Sequence, residues 1–318
     1  MRISRHRQRE FLLCDDIKKF SFDGIIALII TLATSMLFAA ILAPLLFNLV
    51  LFFEKNYHSR MGAYLINKGL GAFFDRIRWI PIAIGMVILN KKFKFTKNIF
   101  IGKFRWSQIS RGFSMGMAFI VLAASPHYFL TSSQRTISQP ENITMTLINA
   151  LGTSIRVAFL EEIIFRNILL KIFYTAFRPS MAITLASMFF AYMHFKGHTS
   201  LASNDYATIK NGLLCAHAQI TCWATGLHVI EFLNLFLLGL LLCLITLKRK
   251  SLDRSMGTHC GIVFSLLIYK KFVHITPPPQ SFAFFGTHRI TDSPFGLLIL
   301  SLIILAIHWK RQGNADQT

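Results

Sequence analysis

The chain gathers ionisable residues in one apolar stretch, Ser154-Ile-Arg-Val-Ala-Phe-Leu-Glu161-Glu162-Ile-Ile-Phe-Arg166-Asn167. A carboxylate can take a proton from water, and one held out of bulk solvent is the stronger base. On a helix, Glu162 and Arg166 are i, i+4 neighbours and can pair. Glu161 points about 100° away from Glu162, so it can face a cavity instead. In a bilayer, Arg156, Glu161, Glu162 and Arg166 would together cost on the order of 10 kcal/mol without partners. All four are therefore expected to face the interior of a helix bundle. The bland alternative is a structural ion-pair cluster, which is a poor way to gain stability.

Two histidines lie near apolar runs. His194 ends Met188-Phe-Phe-Ala-Tyr-Met-His194-Phe195, and His259 sits in Ser255-Met-Gly-Thr-His259-Cys-Gly261. Taken alone, each reads as a hydrogen-bonded packing residue. The small residues around His259 permit close helix packing. His228 and Glu231, at i, i+3, read as a structural pair or a pair at a cavity mouth. The stretch Gly286 to Asp292 matches no motif. The sequence contains no H-E-x-x-H, P-loop or dinucleotide glycine pattern, and no serine nucleophile in the style of rhomboid proteases.

The elements that must position these groups follow from composition. Of 318 residues, 53% are hydrophobic and 15% charged, against roughly 25% charged in soluble proteins. Mean hydropathy is +0.51. Ile25 to Phe53 runs 29 residues without a charge, and about 20 apolar residues span a bilayer as a helix. The expected fold is all-α: a polytopic membrane helix bundle of about eight transmembrane helices, forming a single integral membrane domain over 1–318. The spans are expected at 24–53, 72–89, 112–130, 143–172, 179–195, 226–247, 252–269 and 293–309. The second is the weakest, because Asp75, Arg76 and Arg78 crowd its start. Residues 196–225 read as a long outer loop. The charged N-terminal stretch precedes an apolar run too long for a signal peptide, so that run is expected to stay as the first span.

The net charge of +20 comes in short clusters between apolar runs, as at the flanks of membrane spans. A nucleic-acid partner is not expected, since a binding face would concentrate the charge on one soluble element. With the N-terminus inside, 21 of the 34 Lys and Arg fall on inner segments and 11 on outer ones, with Arg156 and Arg166 within a span. This asymmetry places both termini in the cytoplasm. The five cysteines form no C-x-x-C pair and suggest neither a disulfide framework nor a thiolate metal site. Cys215 and Cys222 could pair in an outer loop.

Together, Glu161-Glu162-x-x-x-Arg166, Phe190-x-x-x-His194 and the later His259 resemble the CPBP family. Its members are the CAAX proteases and bacteriocin-processing enzymes, also called the Abi family of intramembrane proteases. The resemblance covers about 143–270, which would be the catalytic core. The family's third motif usually carries Asn or Asp four residues after its histidine, whereas this chain has Val263.

The resemblance implies an intramembrane endopeptidase cutting peptide bonds near the membrane surface, of the CAAX type or the peptide and bacteriocin type. Glu161 would activate a water, and His194 would position that water or protonate the leaving amine. His259 would stabilise the oxyanion, while Glu162 and Arg166 would hold the geometry. A base, a proton donor and an oxyanion contact are what peptide hydrolysis needs. No cofactor is expected; zinc held by Glu161, His194 and His259 is the runner-up. Expected partners are membrane lipids and a peptide or membrane-anchored protein substrate, and the expected location is a bacterial inner (plasma) membrane. Two other readings compete. One is a non-catalytic family member serving in immunity or assembly, favoured by Val263. The other is an ion-coupled transporter, for which no inverted repeat speaks.

One geometric tension is visible in advance. Counted from the inner helix ends at 1.5 Å per residue, Glu161 lies about 16 Å deep, His194 about 22 Å and His259 about 10 Å.

Overall fold

A computed structural model describes residues 21–58, 60–93, 105–130, 135–137, 140, 142–195, 206–225, 228–275, 284–285 and 290–312. The fold is all-α apart from a ribbon of two three-residue strands. The chain divides into two compact units, one of residues 1–94 and 192–227, the other of 95–191 and 228–318.

The first unit begins with α1 (Ser21–Tyr57), which carries Asp23 in its first turn and Lys55 in its last, as the helix dipole favours. Short helices α2 (Arg60–Ile66) and α3 (Gly69–Ile77) precede α4 (Trp79–Phe93). The expected span 72–89 is thus broken at Arg78. Pro81 lies where it favours a break: it has no N–H for the carbonyl of Ile77, and its ring crowds that carbonyl. Arg78 is buried at the break and pairs with Asp75 at 3.4 Å.

The expected outer loop 196–225 needs a correction, because Ile209–Thr225 forms a helix, labelled here α9. Its buried positions Gly212, Cys215, Gln219 and Cys222 recur at three- and four-residue steps, the pattern of one helix face. Gly212 allows this face to approach the α1 backbone at Ala40, where a Cβ would overlap the carbonyl oxygen. Cys215 packs into a core with Ala39, Ala43, Phe47, Leu70 and Phe74. Cys215 and Cys222 are not joined by a disulfide; seven residues of helix separate them by about 10 Å, too far for one.

The second unit contains α5 (Trp106–Leu130), α6 (Ile143–Glu161), a π-helical segment (Glu162–Leu169) and α7 (Leu170–Ala176). It also holds most of α8 (Pro179–His194), together with α10 (Val229–Arg249), α11 (Asp253–Phe272) and α12 (Pro294–Gln312). Asn142 caps α6, its Oδ1 accepting from the Met145 N–H at 2.8 Å. Strands β1 (Arg135–Ile137) and β2 (Val273–Ile275) pair antiparallel. Asn234 of α10 donates to the carbonyls of Thr291 and Ser293, just before α12.

Helices α5 and α11 meet along a double glycine seam. A Cβ on Gly112 or Gly116 would overlap the carbonyl oxygens of Arg254 and Thr258, and one on Gly257 or Gly261 those of Ile109 and Phe113. Each helix thus presents glycines four apart to the other's backbone, the small-residue packing used between membrane helices.

All eight expected segments contain helix. Four helical stretches, Asp23–Tyr57, Trp106–Pro126, Ile143–Tyr174 and Val229–Arg249, are long and apolar enough to cross a membrane. Ile148, Leu151, Ile155, Phe159 and Leu160 of α6 all point outward. An apolar outer face of this extent suits lipid and not water. The chain is an integral membrane protein.

Candidate active site

Glu162 opens the π-helical segment, in which hydrogen bonds run from i to i+5 and not i to i+4. The wider turn keeps residues four and five apart on one side. Glu162, Arg166 and Asn167 are consequently all buried. The expected pair forms, with Arg166 Nη1 3.1 Å from Glu162 Oε1. Arg156 departs from the expectation. It lies exposed on α6, its guanidinium folded back on the Gly152 carbonyl and the Thr153 hydroxyl. Five to six residues from the glutamates, it falls on another face of the helix, and its long stem lets the charge reach outward.

His259 enters from α11, 97 residues along the chain from Glu162. Gly257 and Gly261 on either side of it are seam residues, so the seam sets the position of this ring. Its Nδ1 lies 2.9 Å from Glu162 Oε1, and its Nε2 lies 3.7 Å from Glu161 Oε2. The imidazole therefore sits between the two adjacent carboxylates. A further contact ties α11 to α6: the Cys260 thiol donates to the Ser154 hydroxyl at 3.4 Å.

Phe190 of α8 closes the cluster. Its ring stands edge-on to His259 at 5.9 Å, and the Arg166 guanidinium lies 4.3 Å from the ring centroid. Phe165 packs edge-on against it at 5.1 Å. A guanidinium over an aromatic face gains a cation–π attraction where water is excluded. The sequence marks Phe190 only through the spacing Phe190-x-x-x-His194 and says nothing of this double contact. Asn167 was not singled out at all. Its Oδ1 and the Glu162 Oε2 are buried without a hydrogen-bond partner among the described residues.

Glu161, Glu162, Arg166 and His259 are thus brought together within the second unit. His194 ends α8 and belongs to the first unit. Val263 follows His259 by one turn of α11 and is partly buried. Glu231 accepts from the Thr291 hydroxyl at 3.2 Å. Among the described residues, no group of three or more His, Cys, Asp or Glu is placed to hold a metal ion.

A carboxylate facing an imidazole whose other nitrogen is anchored by a second carboxylate is suited to moving a proton and steadying charge. Residues 143–265 match the family model described as Type II CAAX prenyl endopeptidase Rce1-like. This region belongs to the CPBP family. No curated protein and no solved structure matches the chain. The CPBP match contains the whole Glu161–Glu162–Arg166–His259 cluster and Phe190, and it leaves out α1 to α5 and α12. The family is one of intramembrane endopeptidases, hydrolases acting on peptide bonds.

Proposed function

We propose that this chain is an intramembrane endopeptidase that hydrolyses peptide bonds near the membrane surface with a glutamate-activated water. The observation that carries the reading is the position of His259, 3.7 Å from Glu161 and anchored by Glu162. Glu161 takes a proton from water while the water oxygen attacks the scissile carbonyl carbon. His259 stabilises the resulting oxyanion, which a site shielded from water makes more effective. Collapse of the tetrahedral intermediate breaks the C–N bond. The leaving amine receives its proton from His194 or from the acid form of Glu161. Glu162 and Arg166 orient His259 and balance the charge.

Substrates are membrane-anchored protein tails of the CAAX type or peptides of the bacteriocin type; lipids are the surrounding partner and nucleic acid is not a partner. The protein acts in a bacterial inner membrane, through about eight spans, with both termini cytoplasmic. Purified wild type and Glu161→Gln compared on a membrane-anchored peptide library test the reading. Cleavage should fall by roughly 10²–10⁴, the usual worth of a general base. A variant that kept more than a tenth of wild-type cleavage would remove Glu161 from this role.

Val263, where the family usually carries Asn or Asp, favours a second reading: a non-catalytic member serving in immunity or assembly. In that case Glu161→Gln leaves the cellular phenotype intact at normal protein level.

A further inference from the structure

Away from the glutamates, the second unit gathers cations at one end. Arg111 lies near the start of α5, Arg249 is the last residue of α10, and Arg254 is the second of α11. Two features bring them together. Gly112 packs directly against the backbone of Arg254, which sets Arg111 beside it. Three residues then connect α10 to α11, and Lys250 reverses the chain with a φ of 50°. Arg111 and Arg249 both stand close enough to Arg254 to oppose its charge.

Among the described residues these three charges lack compensation. Asp253 is the only carboxylate on α5 or α11, and α10 carries only Glu231, at its opposite end. Asp253 is engaged by Arg105 at 3.6 Å. Arg111, Arg249 and Arg254 form no ion pair among the described residues. Arg254 Nε is in addition buried with no hydrogen-bond partner among them. Three guanidinium groups held together by the fold are a cost unless an anion joins them, and their planar donor forks match phosphate oxygens.

The location selects the kind of anion. The stretches Trp106–Pro126 and Val229–Arg249 are long and apolar enough to cross a membrane, and the cluster lies where the first begins and the second ends. Trp106, 75% exposed, stands on the same first turns, as aromatic residues do at the headgroup level. We propose that Arg111, Arg249 and Arg254 form a binding site for the phosphate headgroup of an anionic phospholipid. Basic clusters between membrane helices bind such headgroups.

The full chain, reconstituted in phosphatidylcholine vesicles, would be probed with spin-labelled phosphatidylglycerol and, separately, spin-labelled phosphatidylcholine. The measured quantity is the preference for the anionic probe in the motionally restricted lipid. Each arginine is expected to contribute about fivefold. Arg254→Gln should reduce the preference by about that factor, and R111Q/R249Q/R254Q should bring it close to one. If the triple variant does not insert, Arg254→Gln and Arg111→Gln read singly decide the matter. Inorganic phosphate should weaken the preference no more than chloride at equal ionic strength. Variants that retain the wild-type preference overturn the site. Equal restriction of the two spin-labelled lipids by the wild type overturns the lipid as its ligand.

Discussion

Glu162 anchors His259 and pairs with Arg166 through the same oxygen, Oε1, at 2.9 and 3.1 Å. One buried carboxylate atom thus joins the π segment to α11. The two adjacent glutamates are not equivalent, since Glu162 is wholly buried while Glu161 is partly exposed.

That difference predicts a split between stability and activity. Arg166→Ala leaves Glu162 buried without its guanidinium, at about 3–5 kcal/mol. It should lower both the amount of protein in the membrane and the unfolding temperature in detergent. Glu161→Gln keeps Glu162, Arg166 and His259 in place and should unfold within a few degrees of wild type. Equal unfolding temperatures for wild type and Arg166→Ala would contradict the buried pair.

The glycine seam predicts unequal tolerance of one added methyl group. Gly257→Ala and Gly116→Ala place a Cβ against a backbone carbonyl and should each destabilise by about 1–3 kcal/mol. Gly152→Ala on α6 meets nothing within 4 Å and should be neutral or stabilising by under about 1 kcal/mol. Thermal unfolding of the three variants side by side checks the order. Gly257→Ala should also lower turnover, because His259 moves with the seam.

Orientation is testable by chemical access. With both termini inside, a cysteine at Ser133, outside the described residues, should react with an impermeant reagent in intact cells. A cysteine at Ser107 should not. The opposite pattern would reverse the positive-inside reading.

A base role for Glu161 also predicts the metal content. Active, detergent-purified protein should hold far less than one zinc per chain by elemental analysis. One zinc per chain, lost together with activity in His259→Ala, would establish a metalloprotease, because a catalytic zinc needs three protein ligands.

The sequence made some of this legible and hid the rest for physical reasons. The Glu162–Arg166 pair could be read because residues four apart face each other in both α- and π-helices. The π segment could not, since nothing in an apolar run announces a change of hydrogen-bond register. The meeting of Glu161 with His259 was obscured by counting depth along ideal, upright helices, which put them about 6 Å apart in height. Helix α9 was hidden because its buried stripe, Gly212, Cys215, Gln219 and Cys222, is small or polar and gives little hydropathy signal. The break at Arg78 was visible in part: the crowded charges weakened the span, and Pro81 lies where it favours a break.

The π segment also bears on how this motif can change over generations. A π turn holds one more residue than an α turn, so losing a single residue between Ile163 and Leu169 would let the backbone relax to ordinary α geometry. The helix beyond the segment would keep its register, because the wide turn absorbs that one residue, but residues 163–169 would no longer share the same side with Glu162. Around Glu161 and Glu162 the chain should therefore accept altered side chains more readily than altered length. Single-residue deletions there are expected to be as damaging as removal of the glutamates themselves.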